Sequence, residues 1–199
     1  RAWDIAGSTA VLADAFKVFV DTTPPSMTTA AVAGIWRKTN KGSYPDGFYD
    51  SGGSGLAKFQ LMASTAAGGS GTASPGWTDN LTLSGTSYTQ SWALSSPVWN
   101  ALADSVTSYV SVRVFDLAGS TYTWTDAFSV LKDTTPPSIY DLQDGSDTWQ
   151  GASGAVYNVN FEDWGSRLSS AALTAWTGVN NTGTQTVTWS AIFTSTGTQ

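Results

Sequence analysis

Carboxylates are the reactive chemistry that this chain has to offer. Its 199 residues include fifteen of them, fourteen Asp and the single Glu162, and neither Cys nor His. Without imidazole or thiolate, the usual general bases, nucleophiles and transition-metal ligands are missing. A set of carboxylates can instead hold a hard cation, and calcium accepts about six to eight oxygens, backbone carbonyls and water among them. The candidate ligands fall into two groups: Asp21, Asp50 (beside Ser51) and Asp116, then Asp133, Glu162 and Asp163. Brought together, each group would repel itself, and no Lys or Arg is obviously supplied to neutralise it. The competing reading is that these acids cap turns, a common use of Asp.

Other chemistries find less support. A pair of carboxylates can run a glycosidase, but Glu162 and Asp163 are adjacent, and neighbouring strand residues point to opposite faces. The chain is therefore expected not to be an enzyme. Its net charge is −6 and its nine Lys and Arg are scattered singly, which argues against a phosphate backbone as partner. No apolar run reaches the roughly 18 residues of a membrane span. The absence of Cys rules out a disulfide framework.

The elements that would position these acids are set out by an internal repeat. Asp-Thr-Thr-Pro-Pro-Ser occurs at 21–26 and again at 133–138, an offset of 133 − 21 = 112. At the same offset Asp4-Ile-Ala-Gly-Ser-Thr9 matches Asp116-Leu-Ala-Gly-Ser-Thr121, and Gly53, Ser54 and Leu56 match Gly165, Ser166 and Leu168. Laid out without a gap, 1–87 and 113–199 are identical at 29 of 87 positions. A period of 112 exceeds the ~20–50 residues of a solenoid repeat and approaches the ~100 of one immunoglobulin-like sandwich. Each Pro pair withholds two backbone donors and ends strand pairing. The expected organisation is the tail of one module (1–21), a complete module (22–133) and the opening of another (134–199).

Composition points to strands. Only 12% of residues are charged, against about 25% in an average domain, and the abundance of Gly, Ser and Thr suits short strands joined by turns. Val110, Val112 and Val114 alternate as a half-buried strand should. After a turn at 116–120, with Gly119 free to take positive φ, a second strand is expected over 122–132. Further strands are expected over 56–63 and 88–94, with a short helical turn within 97–105. The fold class is all-β: tandem immunoglobulin-like antiparallel β-sandwich modules of 112-residue period. In such a sandwich the loop between the second and third strands and the final hairpin loop lie where the chain enters. That would bring Asp21, Asp50 and Asp116 to one junction, and Asp133, Glu162 and Asp163 to the next, as possible calcium sites.

The Asp-Thr-Thr-Pro-Pro linker, the acidic turn running into Gly-Ser-x-Leu and the late Asp-x-Ala-Gly turn together resemble bacterial immunoglobulin-like and fibronectin-III-like repeats of large surface proteins. The resemblance implies an exported, extracellular protein of the bacterial cell surface, a stalk, adhesin or filament with a structural role. Its partners would be neighbouring modules, or copies of itself in a fibre, with glycans or cell surfaces as further candidates.

Ten Trp residues raise an alternative from another class, a carbohydrate-binding unit of an adhesin or secreted glycosidase. Trp77 and Trp189 stand at matching positions and are expected in the core, where one large ring can span both sheets. Trp36, Trp99, Trp149, Trp164 and Trp176 lack a matching Trp and are the better candidates for exposed or intermodular contacts. Residues 1–20 correspond to the final hairpin that the third module lacks. They either complete the next copy in a fibre or mark a chain that continues on both sides.

Overall fold

The computed structural model describes residues 1–28, 34–44, 47–73, 75–142, 149, 151 and 156–194. It is mostly β, in several sheets. The chain opens with a small hairpin of β1 (Ala2–Trp3) and β2 (Thr9–Ala10). Two sheets then enclose the main core. One runs β4 (Trp36–Arg37), β10 (Thr121–Lys132), β9 (Thr107–Asp116), β6 (Leu56–Ser64), β7 (Thr78–Thr82); the other runs β3 (Ser26–Thr28), β5 (Gly47–Tyr49), β8 (Ser87–Tyr88). Two separate pairs follow, β11 (Ser138–Asp141) with β12 (Val159–Glu162), and β13 (Ser170–Gly178) with β14 (Thr182–Thr194). No helix among the described residues is long and apolar enough to cross a membrane.

Alternation along the strands builds the core. Val110, Val112 and Val114 of β9 are fully buried, beside Leu56, Phe59 and Leu61 of β6 and Phe128 and Val130 of β10; Met27 and Phe48 face them from the other sheet. Aromatic rings tie the two layers together: Phe48 lies 4.6 Å from Phe59, and Trp92 lies 4.8 Å from Phe59 and 5.2 Å from Tyr44. Such pairs stabilise beyond the area they bury. A single turn of helix, α1 (Ser96–Ala101), carries Pro in its first turn, where the missing N–H is harmless, and buries Val98 and Trp99.

Several expectations need revision. The pairing of β4 with β10 is parallel, so the sheets are not purely antiparallel. The strand expected over 88–94 ends at Tyr88, and the backbone of Trp92 pairs with Tyr44 in an isolated bridge. Ser111, on the expected wet face of β9, is buried; its Oγ accepts the Asp126 N–H at 3.1 Å, where β10 bulges and Asp126 takes φ 52°. Trp99, read as a candidate for exposure, is in the core. Trp77, read as core, is half-buried on the outer face with the Arg113 guanidinium 4.4 Å above its ring. Trp189 is exposed. Gly197 and Thr198, which repeat Gly85 and Thr86 at the 112-residue offset, lie outside the described residues.

Candidate metal centre

Three carboxylates meet where the chain enters the two-sheet unit. Asp21 sits in the linker ahead of the Pro pair, Asp50 directly follows β5, and Asp116 ends β9. One oxygen from each lies within 4.8 Å of the others. Strand register explains the meeting. Leu56, at the start of β6, pairs with Asp116, and Ser26, at the start of β3, pairs with Tyr49, the residue before Asp50.

Each acid is held by backbone N–H groups. Asp50 accepts from Gly52 at 3.0 Å and Gly55 at 2.6 Å. Asp21 accepts from Thr23 at 3.0 Å and from Ser54 at 2.9 Å. Asp116 accepts from Ser120 at 2.7 Å through Oδ1 only. Its Oδ2 is buried without a hydrogen-bond partner, in a residue only 3% exposed. Among the described residues the two ion pairs, Lys58–Asp79 and Lys132–Asp104, involve other acids. A buried carboxylate oxygen with no donor is costly, and three uncompensated charges in one place compound the cost.

Glycine makes the approach possible. A Cβ on Gly52 would stand 1.9 Å from Asp21 Oδ1 and 2.4 Å from its Cγ. No other residue lets the linker carboxylate lie against this loop. Gly52 and the Ser54 N–H are site components that the reading of acids alone missed.

The second group of candidate ligands is only partly assembled. Asp133 accepts from Thr135 at 3.1 Å and from Ser166 at 2.7 Å, as Asp21 does from Thr23 and Ser54. Asp163 accepts from Gly165 at 3.0 Å and Arg167 at 2.8 Å, as Asp50 does from Gly52 and Gly55. A Cβ on Gly165 would stand 2.4 Å from Asp133 Oδ2. Asp133 and Asp163 line one cleft together with Trp36, Arg37 and Arg167, a cleft that Glu162 does not line. Glu162 is exposed and pairs with Ser138, the place that Tyr49 holds opposite Ser26. Asp163, not Glu162, is therefore the counterpart of Asp50. The signal was present in Phe48-Tyr-Asp50-Ser-Gly52 and Phe161-Glu-Asp163-Trp-Gly165, an offset of 161 − 48 = 113 that a gapless alignment hides.

Calcium suits the first group. Oxygens at about 2.4 Å from one ion are at most about 4.8 Å apart, which the trio satisfies. Carboxylates without nitrogen or sulfur ligands favour a hard cation over zinc or copper.

Hydrogen bonding also sets the acid response. The Ser166 N–H holds the Asp133 carboxyl below its ordinary value, outweighing burial, with the Ser166 side chain and the Thr135 N–H adding to it. The nearby Ser54 side chain, followed by the N–H groups of Thr23 and Ser54 that bond its carboxylate, lowers Asp21 as well. A carboxyl lowered on folding contributes stability above its unfolded pKa and loses it as the pH falls through its folded pKa. Melting temperature is accordingly expected to fall below about pH 4. Asp21→Asn and Asp133→Asn should each flatten that acid limb in a series of thermal melts. Unchanged acid limbs in both variants would contradict the assignment.

Comparison with protein-family models, with curated proteins and with solved structures yields no match to this chain.

Proposed function

We propose that this chain is a structural segment of an exported bacterial stalk, adhesin or filament, built from immunoglobulin-like modules whose junctions are stiffened by calcium. The observation that carries the reading is the cluster of Asp21, Asp50 and Asp116, with Asp116 Oδ2 buried and unpartnered. It joins a linker residue to two loops of the unit that follows. A cation there ties linker to unit, which is the need of a rod and not of a pocket enzyme. The strand order supports the same reading. Three strands, β3, β5 and β8, face a larger sheet in which the last hairpin, β9–β10, lies beside β6, as in immunoglobulin-like sandwiches.

Direction along the chain adds to it. β10 leads twelve residues away from the Asp116 turn to Asp133, a distance of about 35–40 Å at ~3.3 Å per residue. Entrance and exit acids therefore lie a full strand apart. Recurrent local geometry also supports a repeated module. The Ser8 N–H bonds Asp4 Oδ1 at 2.8 Å as Ser120 does Asp116 Oδ1 at 2.7 Å, and Asp14 and Asp126 share φ of 51° and 52°. The carbohydrate-binding alternative is weaker at Trp77, whose ring face is covered by Arg113.

Small-angle scattering on a tandem of residues 22–133 tests the proposal. In calcium the profile should be that of a stiff rod growing by about 35–40 Å per unit, loosening when chelator is added. A compact globule in both conditions would overturn it.

A further inference from the structure

A turn of the two-sheet unit, residues 102–105 between α1 and β9, reaches both the linker and the loop that follows it. The Ser105 N–H donates to Lys132 O, at the end of β10, at 2.8 Å. Lys132 returns to the same turn through its side chain. The ammonium donates to Leu102 O at 3.0 Å, lies 3.6 Å from Asp104 Oδ1 and stands 5.7 Å from the Trp99 ring centroid. Its side chain is 12% exposed, so the ion pair is screened less than one on open surface. Val20 holds the matching position ahead of Asp21, so of the two junctions only the second has this lysine.

Asp104 gives its second oxygen to the linker. Oδ2 accepts the hydroxyl of Thr134, the residue after Asp133. One carboxylate thus joins the last residue of β10 to the stretch that leaves it. Beside it Ser105 takes φ 64°, a left-handed conformation uncommon for a residue with a side chain. Strain of this kind persists only where the surroundings hold it. Across the junction, a Cβ on Gly165 would stand 2.7 Å from Ser105 Oγ and 2.4 Å from Asp133 Oδ2. The loop after β12 therefore fits between the linker acid and the turn of the preceding unit, and a larger residue must push one of them away. The Asp133 N–H is meanwhile held by Arg37 O at 3.1 Å, at the end of β4.

We propose that the 102–105 turn is a docking surface for the 163–168 loop, so that Asp104, Ser105 and Thr134 set the angle between successive units without a cation. A linker bound at one residue can still swivel. Bound at Asp133 by Arg37, at Thr134 by Asp104, and packed through Gly165 onto Ser105, it is held at three places from both sides. Its units come from the module reading above, but the latch goes beyond it. None of Asp21, Asp50 and Asp116 takes part, so the direction of the junction should persist in chelator, whereas calcium would add stability where those three acids meet.

Distances between spin labels in the full chain test this. The chain has no Cys, so Thr82→Cys on β7 and Asn160→Cys on β12, both at exposed positions, take one label each. In chelator the labelled parent should give one narrow distance. Asp104→Ala and Thr134→Val should each lose it to a broad distribution, and Gly165→Ala should shift its mean. Thr134 is exposed, so Thr134→Val leaves the two-sheet core untouched, and a broad distribution in that variant is not unfolding. A broad distance in the parent that narrows only in calcium would overturn the latch while supporting the cation-held junction. A narrow distance that survives all three substitutions would overturn it as well. A narrow distance in chelator that the substitutions disturb, with no calcium shift in melting, would support the latch and count against the cation, so the two failures are distinguishable.

Discussion

Trp92→Ala is expected to lower the unfolding free energy of the two-sheet unit by about 3–5 kcal/mol. Trp92 is 6% exposed and lies between rings contributed by both sheets, with centroids 4.8 Å from Phe59, 5.9 Å from Phe128 and 6.5 Å from Phe48. Its removal opens a cavity at the point where the layers touch, and neighbours on separate strands cannot collapse to fill it. Against a total of about 5–15 kcal/mol for a domain, this is enough to leave a large unfolded population at warm temperatures. Trp92→Phe should cost far less. It keeps a ring in place and removes an indole N–H that is buried without a partner, relieving the desolvation cost of that donor. Urea titration of both variants checks the pair. Equal losses would mean that the ring contacts are not what holds the sheets together.

Gly52→Ala is expected to abolish stabilisation by calcium while leaving the core intact. The new Cβ would fall 1.9 Å from Asp21 Oδ1, so the linker carboxylate must swing away from Asp50 and Asp116. Calcium at about a hundred times its Kd would stabilise the parent by ~2.7 kcal/mol, and most of that should vanish in the variant. In chelator the two proteins should melt within a few degrees of one another, because Gly52 contributes nothing to the inter-sheet core. Thermal melts in the two conditions separate these effects. A variant that keeps the full calcium shift would show that Asp21 is not a ligand.

Much of this was legible in the sequence. The alternation of Val110, Val112 and Val114, the Asp116–Ser120 turn and the strand at 56–64 follow from side-chain period and from Gly119, whose φ is 94°. The meeting of Asp21, Asp50 and Asp116 followed from where loops fall in a sandwich. Register was harder. A gapless repeat paired Asp50 with Glu162, but backbone pairing is decided strand by strand, and β11–β12 sets Glu162 opposite Ser138. The loop from Asp163 to Leu168 is one residue shorter than that from Asp50 to Leu56, so a match at each end conceals a slip between. Tryptophan was harder still. Trp99 lies in the core because α1 folds its face inward, whereas Trp77 lies outside because Arg113, stacked on it and bonded to Gln60 Oε1 at 2.7 Å, gives an aromatic ring a polar roof. Neither outcome depends on the residue's own neighbours in sequence. The parallel pairing of β4 likewise depends on a partner some ninety-five residues away, Trp36 opposite Leu131.

Calorimetric titration of calcium into the chain and into its Asp116→Asn variant is the most direct test of a cation-held junction. Asp116 is the acid with a buried oxygen that no donor satisfies, so the parent should bind calcium with heat that the variant loses, affinity falling by at least about tenfold for the lost charge. The same calcium should raise the melting temperature of the parent and not of the variant. Binding of equal strength in both proteins, or none in either, would contradict the account.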